Sequence, residues 1–170
     1  FSTIDAKEFP IIPTSSGEDL DIDGQLIKQV ATEVAFASAT DESRPVLTGV
    51  RWKWGEAGIE VAATDGYRLS VKMLNKVKSE KLKVQSEEKT LIIPARALVE
   101  VGHIGKGLGE AGLKIKMGVM KEAGQVIFNL GDVQVVARQL AGEFPDFGKI
   151  IPTEAKTKAR MGVEELAAAV

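Results

Sequence analysis

Apolar and polar residues along this chain change their period several times, and each change marks an element. Leu20-Asp21-Ile22 alternates in the manner of a short strand. Asp23 then stands where its carboxylate can accept from the orphan amides of a first helical turn. Leu26, Ile27, Val30, Val34 and Ala37 fall on one face of a helix predicted over 24–38, with Gln25, Lys28, Gln29 and Thr32 on or near the other side. After a polar break at Thr40-Asp41-Glu42-Ser43, a strand carries Val46, Val50, Trp52 and Trp54, and Gly55-Glu56-Ala57-Gly58 turns it back. Ile59 and Val61 alternate with Glu60 and Ala62 in the next strand. Tyr67, Leu69, Val71 and Met73 alternate with Arg68, Ser70 and Lys72 in the one after. Residues 75–89 are dense in lysine and glutamate, with Val77, Leu82 and Val84 as apolar anchors, which predicts a solvated loop.

The same succession then recurs. Leu91-Ile92-Ile93 reads as a strand, and Pro94 sits where a helix starts. Ala97, Leu98 and Val101 supply its apolar stripe, and Gly102, Gly105 and Gly107 are expected to end it. Leu113 to Val119, Gln125 to Leu130 and Val133 to Leu140 give three more strands, the last two joined at Gly131-Asp132. Strand, helix and three strands thus appear twice. The pattern predicts an α+β domain of two pseudo-symmetric halves, with helices on one face of the sheets. It leaves the spatial order of the strands open. Around this unit, residues 1–16, with Phe9-Pro10-Ile11-Ile12-Pro13, read as an extended linker. The domain is expected over 17–143, followed by an extended exit strap and linker over 144–160. Residues 161–170 look like the start of a further domain, and both ends of the chain read as cut from a longer protein.

The central turn holds the densest chemistry. Ala63-Thr64-Asp65-Gly66-Tyr67-Arg68-Leu69-Ser70 places Asp-Gly between two alternating runs, a strong hairpin signal because glycine adopts positive φ at no steric cost. A tight turn and nothing more would explain the Asp-Gly alone. Here a threonine, a tyrosine and an arginine flank it, so hydrogen-bonding groups and an aromatic face cluster at the mouth of the hairpin.

This octapeptide closely resembles the signature of the bacterial replicative sliding clamp, the β subunit of DNA polymerase III. Arg44-Pro45-Val46-Leu47-Thr48-Gly49-Val50 and Glu143-Phe144-Pro145-Asp146-Phe147-Gly148-Lys149-Ile150-Ile151-Pro152 match the same family in the same order. The resemblance covers nearly the whole chain and implies the DNA-clamp fold. It also implies the middle of three domains in a non-enzymatic processivity factor, a subunit of a DNA-directed DNA polymerase. In that family the middle domain contributes half of a hydrophobic pocket that takes short peptide motifs, built around glutamine and leucine or phenylalanine, from the polymerase, the clamp loader and repair proteins. The matching positions are Arg44, Leu47, Thr64, Gly66, Tyr67, Arg68, Leu69, Pro145, Lys149 and Ile150. On that reading Leu47, Leu69, Pro145 and Ile150 line an apolar slot, and Thr64 and Arg68 orient the peptide; the competing reading makes Leu47, Leu69 and Ile150 core and Thr64 a turn-former. Tyr67 stands where the family usually has histidine, and Gly148 where a basic residue is common, and both departures bear on partner preference. The resemblance further implies that helices face a duplex encircled by a head-to-tail homodimeric ring, with Lys28, Arg96 and Lys106 as the available cations. The dimer contacts would lie in the outer domains, so this chain alone is expected to be monomeric.

Composition narrows the rest. The 170 residues suffice for one domain with a core. The formal net charge of −2, from 22 basic and 24 acidic residues, gives no global attraction to nucleic acid, so any DNA contact must come from local charge. Zero cysteines remove disulfides and thiolate chemistry and fit a cytoplasmic protein. His103, the only histidine, has no partner spaced for catalysis or metal binding, so no metal or cofactor is expected. The glycines at 102, 105, 107 and 109 match neither the dinucleotide fingerprint nor the P-loop. Asp19, Asp21 and Asp23 lack the glycine turn and distal glutamate of a calcium loop. The main alternative to a clamp is a peptide-binding scaffold of the same fold without a role in replication. A second is an enzyme using the pocket around Tyr67 and Arg68, for which the residues suggest no substrate.

Overall fold

The computed structural model describes residue 5 and residues 19–55, 58–74, 90–109, 113–120, 123–152 and 154–169. The expected linker over 1–16, apart from Asp5, and the charged loop over 75–89 lie outside the described residues. The first half runs β1 (Asp19–Asp23), α1 (Gly24–Gln29), β2 (Gly49–Gly55), β3 (Gly58–Thr64) and β4 (Leu69–Leu74). The second runs β5 (Thr90–Pro94), α2 (Ala95–Gly107), β6 (Lys114–Met120), β7 (Gln125–Leu130) and β8 (Val133–Arg138), and α3 (Val163–Ala169) follows. The repeated succession read from the pattern is therefore the observed one.

Two four-stranded antiparallel sheets result, in the orders β1-β6-β7-β8 and β5-β2-β3-β4. The first strand of each half has crossed over. β1 pairs with β6 of the second half, and β5 pairs with β2 of the first. Both sheets and both helices feed one core, in which Ile27 and Val30 join Leu98 and Val101 from α2. Trp52 and Val61 from one sheet meet the same cluster as Met117 and Phe128 from the other. Burying a side chain of this size contributes roughly 1.5–3 kcal/mol, and alternation at period two is what lets each strand deliver every second residue inward.

Away from the central turn, local readings need four corrections. The predicted helix over 24–38 starts as expected, with Asp23 Oδ1 accepting from Gln25 N at 2.9 Å, but it changes winding. It becomes a π-turn over Val30–Val34 and a 3-10 turn over Ala35–Ala37. Val30, Thr32 and Val34 are β-branched, and the Thr32 hydroxyl donates back to Lys28 O at 2.9 Å, which loosens the α-helical ladder. After the change Ala35 and Ala37 point inward and Phe36 outward. Second, α2 passes through Gly102 and Gly105 instead of ending there. Gly102 serves close packing: a β-carbon there would lie 3.3 Å from Ala31 Cβ of the neighbouring helical segment. Third, Val46 belongs to a 3-10 turn, Pro45–Thr48, because the proline at its start has no amide for the sheet. Fourth, the strap is not extended throughout, since Ile150 N donates to Phe147 O at 2.9 Å in a turn.

Candidate functional site

Thr64 ends β3 and Leu69 begins β4, so the four residues between them form the turn, and Tyr67 belongs to it and not to the strand. Asp65 organises it. Its Oδ1 accepts from Tyr67 N at 2.9 Å and Arg68 N at 3.0 Å, and its Oδ2 accepts from Arg68 Nε at 2.9 Å. The amide of Arg68, then that of Tyr67, hold the Asp65 carboxyl below its ordinary range. Gly66 has φ +96°, which an L side chain rarely adopts, and its amide donates to Thr64 Oγ1 at 3.0 Å. The Thr64 hydroxyl proton goes to Arg68 O at 2.7 Å, so this buried threonine spends its donor inside the turn. From the other side, Arg44 Nη2 donates to Asp65 O at 3.3 Å. The residues that the sequence predicts for the site at 44, 64, 66 and 68 are thus drawn together in one hydrogen-bonded knot.

The knot leaves a ring and a cation at the surface. Tyr67 is 98% exposed, and the Arg68 guanidinium lies 5.6 Å from the Phe36 ring centroid. Ser70 Oγ donates to Glu33 O at 2.6 Å, and Lys72 pairs with the Glu33 carboxylate at 2.6 Å. These contacts dock the end of the first helical segment against β4 and explain why its winding matters for the site.

Register sets the remaining site residues. In the sheet of β2 to β5, Trp52 and Val61 face the core, so Ile92, Arg51, Ala62 and Val71 form one row on the outer face. Thr64 and Leu69 form the adjacent row, with Glu60 and Met73 on the far side. Along β4 this leaves Leu69 half-buried and Val71 and Met73 exposed, an open apolar strip. Leu47 and Phe147 are buried but stand apart from the main core. Phe147 stacks on Arg51 of β2, two strands or roughly 10 Å from β4. Pro145, Lys149 and Ile150 are exposed, Ile150 by 73%, and Lys149 pairs with Asp146 at 3.2 Å. The structure therefore gathers the turn residues tightly and carries Pro145, Lys149 and Ile150 on a separate strap held to the same sheet.

A cleft of about 420 Å³ opens beside the strap, lined among others by Arg51, Lys53, Thr90, Glu143 and Phe144. Sequence reasoning passed over Arg51, Phe36 and Asp65. Alternation with Trp52 and Trp54 marks Arg51 as outward-facing, but nothing local to it indicates the phenylalanines it meets. Lys28 lies on α1, and Arg96 and Lys106 are exposed on α2, which packs against the first helical segment. Among the described residues no group of three or more histidine, aspartate or glutamate side chains is placed to hold a metal ion. No helix among them is long and apolar enough to cross a membrane.

Residues 21–146 match the family model for the DNA polymerase III beta subunit, central domain. A beta sliding clamp from Staphylococcus aureus is 33% identical over 158 residues, which are 92% of this chain and 39% of the relative. A DNA polymerase sliding clamp from Bacillus subtilis superposes with TM-score 0.76 at 28% identity, over 90% of this chain and 38% of that one. A DNA polymerase III beta chain from Streptococcus pneumoniae gives 0.74 at 30% identity, over 89% and 38%. The chain thus spans about two fifths of the length of the relatives it matches. With the match running from within β1 to the first residues of the strap, the chain belongs to the DNA polymerase III beta subunit family, of which it carries the central domain.

Proposed function

We propose that this chain is the middle domain of a bacterial sliding clamp, a non-catalytic processivity factor that encircles duplex DNA in the cytoplasm and recruits partners by their peptide motifs. The boundaries that follow are a domain over 17–143, the strap and linker over 144–160, and the start of a further domain from 161. The observation that carries the reading is the pairing of a rigid turn with an unfilled surface. Arg44 and Arg68 present guanidinium groups at one end of the apolar strip Leu69, Val71 and Met73, and the strap brings Pro145 and Ile150 to the same face of the sheet. A peptide with a leucine or phenylalanine anchor would gain roughly 1.5–3 kcal/mol per buried side chain. Two anchors and a few hydrogen bonds, less the cost of ordering, give about micromolar affinity at best.

A fluorescently labelled peptide containing glutamine and paired leucine or phenylalanine tests this by anisotropy. Weak binding to the chain should strengthen when the following domain is restored and fall on Arg68→Ala or Leu69→Ala. Equal binding by those variants would remove the pocket. Partners of the whole ring follow from the same reading: polymerase, clamp loader and repair proteins outside, duplex within. Lys28, Arg96 and Lys106 are the cations assigned to the duplex face. So few cations give a weak, salt-sensitive attraction, with a slope of about −0.9 per phosphate neutralised. The chain alone should show no measurable duplex binding, because enclosure and not affinity retains DNA. It should elute from gel filtration as a monomer, since the contacts of the ring's two copies are assigned to the outer domains.

A further inference from the structure

The strap that carries Pro145, Lys149 and Ile150 follows β8 and crosses the outer face of the β5-β2-β3-β4 sheet, where one side chain meets it. The Arg51 guanidinium carbon lies 4.6 Å from the Phe147 ring centroid and 5.5 Å from that of Phe144. The two rings stand edge to face, 88° apart with centroids at 6.4 Å. Arg51 Nη2 donates to Glu60 Oε1 on β3, a diagonal pair across the strands, which fixes the plane of the guanidinium. The side chain is only 15% exposed. Its Nε is buried and has no hydrogen-bond partner among the described residues. An arginine that leaves one donor unpaired is poorly used as a surface charge, and two ring faces are what it gains in return.

What hangs from Phe147 is the part of the strap that matters for binding. Phe147 O accepts from Ile150 N at 2.9 Å and from Ile151 N at 3.3 Å. Asp146 Oδ1 accepts from Gly148 N at 3.2 Å, and its Oδ2 pairs with Lys149 Nζ at 3.2 Å. The turn over 146–150 is therefore closed within itself and docked through a single buried ring. Gly142, four residues before this turn, has φ +128° and packs close to Val46: a β-carbon there would lie 3.0 Å from Val46 Cγ2.

We propose that Arg51 is a positioning residue for peptide binding, clamping Phe144 and Phe147 so that the strap presents Pro145, Lys149 and Ile150 on the same sheet face as the β4 strip. This rests on the pocket reading above and adds to it the residue that keeps one wall in place. Arg51 touches no peptide. It acts through the strap, and its loss frees that wall while the sheets stay folded, because neither ring belongs to the main core.

The test compares wild type with Arg51→Met, which keeps the stem and removes the planar cation, and with Arg51→Lys, which keeps the charge. Two readouts are taken on the 170-residue chain: amide hydrogen exchange along the strap, and dissociation of the labelled glutamine–leucine–phenylalanine peptide. In Arg51→Met the Ile150 and Ile151 amides should exchange about five- to thirtyfold faster, the range that loss of two cation–ring contacts implies. Paired amides of β2 and β7 should be unchanged, the peptide should leave faster by a similar factor, and Arg51→Lys should fall between. Unchanged strap exchange in a folded Arg51→Met overturns the clamp. Faster strap exchange with unaltered peptide dissociation overturns the positioning role. A wild-type chain that binds no peptide removes the pocket reading and the role built on it, while strap exchange still reports separately on the contact. Should Arg51→Met lose the fold, Phe144→Leu removes one ring face from the strap side and should give the same pattern at smaller amplitude.

Discussion

Replacing Gly66 by alanine tests the turn most directly. The backbone there has φ +96°, a region that costs a residue with a β-carbon about 1–3 kcal/mol. Space is a lesser matter. The added β-carbon would lie 3.4 Å from Arg44 Nη2, the tip of a flexible side chain that can move aside. Moving it would break the bond that ties Arg44 to the turn, because the same nitrogen donates to Asp65 O at 3.3 Å. For a domain of this size, 1 kcal/mol shifts the melting temperature by roughly 2–4 °C, so Gly66→Ala should melt about 2–12 °C lower. Gly66→Asn should lose less, since asparagine tolerates positive φ better than alanine. Thermal unfolding followed by circular dichroism measures the first effect and peptide anisotropy the second. An alanine variant that melts with wild type would show that the turn relaxes freely at this position. One that melts lower but binds peptide equally well would show that the knot and the binding surface are independent.

Gly49 sits where Leu140, just past β8, bonds to β5, and a β-carbon there would lie 2.6 Å from Ile92 Cγ2 and 2.7 Å from Leu140 Cδ1. Gly49→Ala should therefore destabilise by about 1–3 kcal/mol, read as a lower urea midpoint at unchanged slope. Within α2 the two internal glycines should differ: Gly105→Ala meets only ordinary contact at 3.5 Å and should stabilise by about 0.5–1 kcal/mol. Gly102→Ala meets Ala31 Cβ at 3.3 Å and should gain less or nothing; equal gains in urea unfolding would contradict the packing argument. Asp65 has a folded pKa below its ordinary value of 3.8, so the stability it contributes is present above that value and lost as pH falls through the lower, folded one. Asp65→Asn should flatten the fall in stability as pH drops below the ordinary carboxylate range, and an unchanged acid profile would mean that the carboxylate's hydrogen bonds carry no linkage.

Much of this was legible because the signals are local. Asp23 at a helix start, Asp-Gly between two alternating runs, and inward tryptophans at every second position of β2 each depend on a few neighbouring residues. The readings that failed were local signals overruled by distant contacts. Gly102 and Gly105 resemble a helix stop until the first helical segment and Leu113 are brought against α2, when the helix continues and the missing side chain at Gly102 allows the close approach of Ala31. Tyr67 fits the alternation of β4, but Asp65 captures its amide and holds it in the turn. Arg51 and Phe147 lie far apart along the chain, and no periodicity links them.

The amino-acid sequence by itself determined the elements and their repetition, because period, capping and turn chemistry act within a few residues, while the family came from the resemblance of three stretches, 44–50, 63–70 and 143–152. Only the tertiary structure decided that β1 and β5 exchange halves, that the Thr64 hydroxyl is consumed inside the turn, and that the strap is held by a cation between two rings. Strand exchange leaves the alternation of every strand unchanged, so a pattern of buried and exposed positions is the same for either pairing. What distinguishes them is the joint burial of both sheets and both helices in one core, a free energy that exists only once the chain has closed on itself.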